Sequence, residues 1–357
     1  MPISHETKAA RMYLGIEIGG TKIQLGVGAG DGELTALERF DVDPGRGAEA
    51  ILECIEDAAR VLIARHEVTA IGIGFGGPVD SKAGLVVKSH HVDGWNDFPL
   101  VDWCREKLTL PATLENDCDV AGLAEARFGA GRDHNPVLFV TVGTGIGGGL
   151  IVGNDIYRAA GYGAAEIGHL RPGLHADRPD QTVESLASGW GIAAAAQARL
   201  SDPISHRFAP LASGLRRSSP EDVRQRLIET EEAAEEYSAD LWERCDGKVD
   251  RLTAQMVVQA AGEGNELARD VLADACAALG WGIAQAVTIV SPSIVVIGGG
   301  VSLADESLFL APVRAAVEKY VFGPLSGRFE IVRAGLGEAV VVHGALAVAS
   351  DAAAAAR

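Results

Sequence analysis

Two stretches of this chain repeat one another. "YLGIEIGGTKIQLGVGAGD" (13–31) and "LFVTVGTGIGGGLIVGND" (138–155) both read as apolar strand, glycine turn, apolar strand and polar turn. Placing Gly19 on Gly143 gives an offset of 143 − 19 = 124, and the same offset places Asp31 on Asp155. Two halves built on one plan explain this most economically. With 357 residues, 47% of them apolar, the chain has the length for two domains and enough apolar material for a core.

Within each half, strands alternate with helices. "AIGIGFGGPVD" (70–80) reads as a short buried strand running into glycines, and "SIVVIGGGVS" (293–302) reads the same way. "LPATLENDCDVAGLAEARFG" (110–129) passes from strand to helix at Asn116 or Asp117, both good N-cap residues, and the helix closes at Gly129. In "NELARDVLADACAALGWGIAQAVTIV" (265–290), Leu267, Val271, Leu279, Ile283 and Val287 form one helical stripe that Pro292 terminates. The fold class is therefore α/β. The charged segment 201–252 differs from the rest and reads as a helical excursion, with one helix starting at Ser219 and Pro220 in its first turn.

Charge narrows the set of partners. A formal net charge of −18 opposes nucleic acid or an anionic membrane surface as a main partner, because the long-range field repels both. Any anion must be held by local groups. No uninterrupted apolar run reaches 18 residues, which gives the expectation of a cytoplasmic protein with no membrane partner. The five cysteines (Cys54, Cys104, Cys118, Cys245, Cys276) are odd in number and widely spaced, so neither a disulfide framework nor a thiolate metal site is suggested.

The glycines form three strand-to-glycine junctions. A single such junction after a strand is more often a tight turn than a ligand site. Three of them, with Thr or Lys beside two, suit the cradling of phosphate, because glycine lets backbone N–H groups approach an anion with no Cβ in the way. "GGTK" (19–22) and "GTGIGGG" (143–149) would each take part of a polyphosphate, and "GGG" (298–300) would face a base or ribose. Walker A spacing is absent. "GTGIGG" fits Gly-x-Gly-x-x-Gly in letters only, since it leads into the strand-like "GLIVG" and not into a helix, which removes the dinucleotide reading.

The blocks "EIGGTKIQLGV", "GIGFGGPVD", "LENDCDVAGLAEARFGAG", "TVGTGIGGGLIVG", "GYGAAEIGHL", "VESLASG" and "IVVIGGGVS", in this order, resemble the ROK family of repressors, open reading frames and kinases, from about Tyr13 to Ala349. The resemblance implies a two-domain, actin-like ATPase fold built on ribonuclease-H-like sheets, with the active site in the cleft between domains. The expected first domain is residues 1–130, joined by a C-terminal helix at about 340–357, and the expected second is 131–339. ROK repressors carry a DNA-binding helix-turn-helix ahead of the first glycine motif. About a dozen residues precede it here, which favours a kinase with no nucleic-acid partner.

By this resemblance, Asp117 is the catalytic base that accepts the sugar hydroxyl proton. Gly77, Asn116, Asp117, Glu166, His169 and Glu184 would bind the sugar. Gly19, Gly20, Thr21, Lys22, Thr144, Gly145, Gly298, Gly299 and Gly300 would bind ATP, and Glu17 would orient magnesium-bound water. ATP and Mg²⁺ are the expected cofactors, and the expected assembly is a homodimer. The expected reaction is phosphorylation of a hexose, first of all glucose at O6; the alternatives are fructose, mannose or an N-acetylhexosamine as substrate, or a catalytically weak sugar-binding regulatory protein. From the residues alone, a Glu-x-x-His pair carries no firm meaning, and Asp117 reads equally well as a helix cap.

Departures from the family pattern qualify these expectations. Many members hold a structural zinc on the histidine of the "EIGH" block and three following cysteines. Here the corresponding stretch, "RPGLHADRPDQTVESLASG", contains no cysteine, and His175 with Asp177 is a weak substitute, so no structural zinc is expected. Glu17 stands where many members have Asp. His91 and Gly76 stand where glucose-type members often have Asn and Pro, which bears on the identity of the sugar.

Overall fold

The computed structural model describes residues 11–89, 92–158, 163–173, 178–202 and 237–357. The chain opens with β1 (Met12–Ile18), β2 (Lys22–Gly28) and β3 (Ala36–Asp41), followed by α1 (Gly47–His66) and β4 (Val68–Phe75). A short ribbon of β5 (Val79–Asp80) and β6 (Leu85–Val86) leads to α2 (Leu100–Leu108), β7 (Ala112–Asn116) and α3 (Asp117–Phe128). The second half begins with β8 (Val137–Val142), β9 (Ile146–Val152) and β10 (Asp155–Ile156), followed by α4 (Val183–Ala187), α5 (Gly189–Ser201), α6 (Ala254–Glu263) and α7 (Glu266–Val290). It closes with β11 (Ile294–Gly298), α8 (Leu310–Tyr320), β12 (Glu330–Arg333) and α9 (Val340–Ala355).

The two five-stranded sheets have one topology. The first has strand order β3-β2-β1-β4-β7 and the second β10-β9-β8-β11-β12. In each, a meander of three antiparallel strands is extended by two parallel ones. The offset of 124 carries β2 residue for residue onto β9. The pairing within the hairpin and the turn that follows it differ between the halves. Four residues, Gly19 to Lys22, separate the last pair of β1 and β2, whereas three, Gly143 to Gly145, separate that of β8 and β9. The expected equivalence of Asp31 and Asp155 does not hold in space. Asp155 begins β10 directly after Gly153 and Asn154, whose φ angles of 62° and 66° make a two-residue turn matching the strand twist. Asp31 lies in a longer turn, still ahead of β3.

Helices decide how the sheets meet. α1 and α2 share an apolar core with the first sheet, and α7 and α8 share another with the second. α3 leaves the first sheet at β7 yet packs on β8 and β9, while α9 comes from the second sheet and packs on β1 and β4. The two helices cross, and there the backbones touch. A Cβ at Gly344 would lie 1.8 Å from the Val120 carbonyl oxygen, and one at Gly72 would lie 1.8 Å from that of Ala345, so only glycine allows this approach.

Leu267, Val271, Leu279, Ile283 and Val287 are all buried, and α7 ends at Ser291, in a left-handed conformation just before Pro292. Both α7 and residues 337–355 are long and apolar enough to cross a bilayer by composition; here each has about half of its apolar window buried in the protein. Of the segment 201–252, residues 237–244 are helical. Ser219 and Pro220 lie outside the described residues.

Candidate active site

The parallel strands β1, β4 and β7 end side by side, and their ends carry Glu17, Gly76 with Gly77, and Asn116 with Asp117. Strand ends of this kind are where open α/β sheets place ligands. Asn116 is the N-cap of α3: its Oδ1 accepts from the Cys118 and Asp119 N–H groups at 2.8 and 3.3 Å. Its Nδ2 donates to the Gly77 carbonyl oxygen at 3.1 Å, which leaves one amide hydrogen for a ligand. The cap position is therefore filled by Asn116. Asp117 sits one residue further on, half-buried, with Oδ1 accepting from the Cys118 N–H at 2.8 Å.

Oδ2 of Asp117 faces Gly76. A Cβ at residue 76 would come within 3.3 Å of that oxygen, and the Gly76 N–H donates to the Ile18 carbonyl oxygen at 2.9 Å. A proline there would lose this hydrogen bond and crowd the carboxylate, so the departure at Gly76 gives Asp117 more room.

Burial dominates the electrostatics. It pushes the Asp117 carboxyl up to about 6, against the hydrogen bonds from Cys118, with the Glu166 charge adding to the rise. Asp119, buried in the same first turn of α3, is pushed up to about 7 by burial first and then by Glu115 and Glu166. Its Oδ1 has no partner. Glu115 is buried and accepts from Ser81 Oγ at 2.7 Å and from the Arg158 guanidinium at 2.5 and 2.9 Å. Burial also raises Glu17, opposed by Lys22, whose Nζ lies 3.5 Å from Oε1.

The second half contributes loops. The β8–β9 turn, Gly143-Thr144-Gly145, is held at both ends: the Gly189 N–H donates to the Gly143 carbonyl at 2.8 Å, and the Ile146 N–H donates to Glu184 Oε2 at 2.8 Å. Glu184 thereby braces a candidate phosphate loop as well as serving as a candidate sugar ligand. Ala165 adopts a left-handed φ of 61°, which costs a residue with a Cβ about 1–2 kcal/mol. The strained turn presents Glu166 just before the 3₁₀ turn Ile167–His169, so the Glu-x-x-His pair lies on a loop, with both side chains exposed. Gly298 is buried against the Phe139 ring and is a packing residue, whereas Gly299 and Gly300 are exposed.

Asp117 sits beside Gly19 through Gly76 and within electrostatic reach of Glu17 from the first half and Glu166 from the second. Gly19, Gly20 and Thr21 lie between β1 and β2, with Thr21 exposed, and Lys22 begins β2. His91, His175 and Asp177 lie outside the described residues. Sequence reasoning missed Gln24, Glu115, Asp119 and Arg158. A lone polar residue inside "KIQLGV" and an acid on the buried face of "DCDVAGLAEA" were the available signals.

The residues suit a magnesium nucleotide. Open space lies in front of Gly143 and Gly300, where no atom would come within 4 Å of an added Cβ, so a ligand can reach their backbone. The carboxylates of Glu17 and Asp117 provide hard oxygens of the kind magnesium takes through water. Among the described residues no three His, Cys, Asp or Glu side chains are grouped to hold a metal ion by themselves.

Comparison with known proteins identifies the family. The ROK family profile matches residues 13–352. A glucokinase from Streptomyces coelicolor is 31% identical over 313 residues, covering 87% of this chain and 89% of that one. Among solved structures, a ROK family glucokinase from Streptomyces griseus, in complex with glucose and AMPPNP, superposes with a TM-score of 0.75 at 30% identity and covers 95% of this chain and 99% of its own. A ROK hexokinase from Thermus thermophilus superposes with a TM-score of 0.69 at 25% identity, covering 96% and 99%.

Proposed function

The chain belongs to the ROK family and is a sugar kinase with the actin-like ATPase fold, and we propose that it transfers the γ-phosphoryl group of ATP to a hexose, glucose at O6, with Asp117 as general base. The observation that carries this reading is the junction of β7 and α3. Asn116 does the capping there, and Asp117 keeps a carboxyl raised to about 6 beside the glycine turn of the first sheet. A base whose pKa lies just below neutrality is ionised at working pH and still binds a proton well in the transition state.

In this scheme Glu166, His169, Glu184 and the free amide hydrogen of Asn116 hold the sugar hydroxyls. Acceptors of fixed direction discriminate between hexoses, because an analogue lacking a hydroxyl leaves a polar group unpaired. Gly19, Gly20, Thr21 and Lys22 from one side, and Thr144, Gly145, Gly299 and Gly300 from the other, hold the nucleotide. Glu17 would hold the magnesium that accompanies ATP, and the ion would supply neutralisation of the phosphate charge. As the new O6–phosphorus bond forms, the bond to the ADP oxygen breaks and the hydroxyl proton passes to Asp117 Oδ2. Alignment between the loops of the two halves supplies much of the acceleration.

Measuring ADP release with Mg-ATP across glucose, fructose, mannose and N-acetylhexosamines tests the proposal. The largest kcat/KM is expected for glucose. A larger value for another hexose would reassign the substrate, and absence of turnover with every sugar, while sugar binding persists, would leave a regulatory sugar-binding protein.

A further inference from the structure

Glu17 is the carboxylate assigned above to magnesium, and it is one methylene longer than aspartate. The extra torsion gives its oxygens a wider arc, so something must fix them if they are to meet a metal-bound water at one place. Gln24 stands directly opposite Glu17 in the β1–β2 ladder and is fully buried. Its Nε2 donates to Glu17 Oε2 at 2.5 Å and to the Glu338 carbonyl oxygen at 2.8 Å. Both amide hydrogens thus have acceptors, which dictates the orientation of the group. Lys22 reaches the other oxygen, Oε1, at 3.5 Å, and also donates to the Glu338 carbonyl at 3.4 Å. Each Glu17 oxygen retains a lone pair for water.

The price of this arrangement is visible at the other end of the amide, where Gln24 Oε1 is buried with no partner. An apolar side chain would fill the same place in a strand of buried residues without stranding a polar atom. A glutamine kept under that penalty is there for its two donors. One of them ends on the turn Gly337–Ala339, which enters α9, the helix that returns from the second sheet to the first. We propose that Gln24 is a positioning residue that clamps the Glu17 carboxylate in the direction magnesium-bound water requires and anchors it to the root of α9. This rests on the role given to Glu17 in the proposed function.

The test compares Gln24→Met, which keeps length and removes both donors, with Glu17→Gln, Glu17→Asp and the double variant Glu17→Asp/Gln24→Met. Calorimetry gives the affinity for AMPPNP with and without Mg²⁺ at saturating sugar, and the ratio of the two is the readout. In Gln24→Met the magnesium-dependent tightening is expected to fall about tenfold, the scale of losing a partner of a metal-orienting group, while metal-free AMPPNP and sugar affinities stay within about twofold. kcat should fall with an unchanged sugar KM. In the Glu17→Asp background the same substitution should cost less than about threefold, because the shorter carboxylate has no extra torsion to restrain. Gln24→Asn, which keeps the amide but withdraws it, should lower the ratio in the same direction and serves if the methionine variant does not fold. A normal magnesium ratio in Gln24→Met or Gln24→Asn, or equal loss of sugar, metal-free nucleotide and magnesium-nucleotide binding, would overturn the proposal. If Glu17→Gln itself keeps the normal ratio, the assignment of Glu17 fails instead.

Discussion

Acid is the sharpest probe of Asp117. Its carboxyl is raised to about 6, chiefly by burial, so lowering the pH should remove the base well above the usual carboxylate range. At pH 5 a group titrating at 6 is about 9% ionised, whereas an ordinary aspartate at about 3.9 is about 93% ionised, a tenfold contrast in the reactive fraction. The parameter to follow is kcat/KM for the sugar between pH 4.5 and 8, because it reports groups of the free enzyme. The expected profile falls with unit slope below an inflection near 6. Asp117→Asn should lower kcat by about 10²–10⁴-fold and remove that inflection from the residual rate. Stability provides an independent check. The folded-state pKa is raised from 3.8 to about 6, so the native protein holds this proton more tightly than the unfolded chain does, and ionisation weakens the fold as pH rises between those values. Above pH 6 the Asn variant should therefore melt no lower than wild type, with its Asn116 cap intact. An inflection below pH 5, or one that survives in Asp117→Asn, would remove Asp117 as the base.

Three further outcomes follow from the site and its frame. Replacing Glu166, His169 or Glu184 with Ala should raise the sugar KM, and Glu184→Ala alone should also raise the ATP KM, since it frees the Ile146 N–H beside the Gly143–Gly145 turn; initial-rate kinetics in both substrates distinguish the three. Glu125 is fully buried and accepts from the Ala130, Gly335 and Leu336 N–H groups, joining the end of α3 to the approach to α9, so Glu125→Ala should cost about 2–3 kcal/mol in denaturant unfolding, the scale of losing hydrogen bonds to a charged group. A loss below about 1 kcal/mol would refute the clamp. Elemental analysis of untagged protein should find far less than one zinc per chain, and chelation should leave the melting temperature unchanged, because the stretch from Arg171 to Gly189 has no cysteine to ligate it.

The sequence by itself determined the local structure and its repetition. Apolar runs ending in glycine specified β1, β8 and β11, and the strand bounds of β2 and β9 correspond residue for residue because each is a short apolar run bounded by glycine turns. The α7 stripe and the Asn116–Gly129 bounds of α3 were legible for the same reason: caps and helical periodicity act over a few residues. The glycine turns and the "END" and "EIGH" blocks marked the candidate site through resemblance, which supplied roles that spacing alone does not. What the tertiary structure decided depends on atoms distant in sequence. It made Gly344 the contact glycine where α9 crosses α3 and Gly72 the one where β4 meets α9, placed Gly298 inside the core, and turned Glu184 back onto the β8–β9 turn. Asparagine and aspartate at 116 and 117 are equivalent as caps, and only the fold gave the cap to one and a raised carboxyl to the other. Gln24 acquired meaning only when the β-ladder set it opposite Glu17 and α9 brought the Glu338 carbonyl to it. Hydrogen bonding and desolvation depend on which groups are neighbours in space, and that neighbourhood exists only once both sheets have folded and the helices between them have crossed.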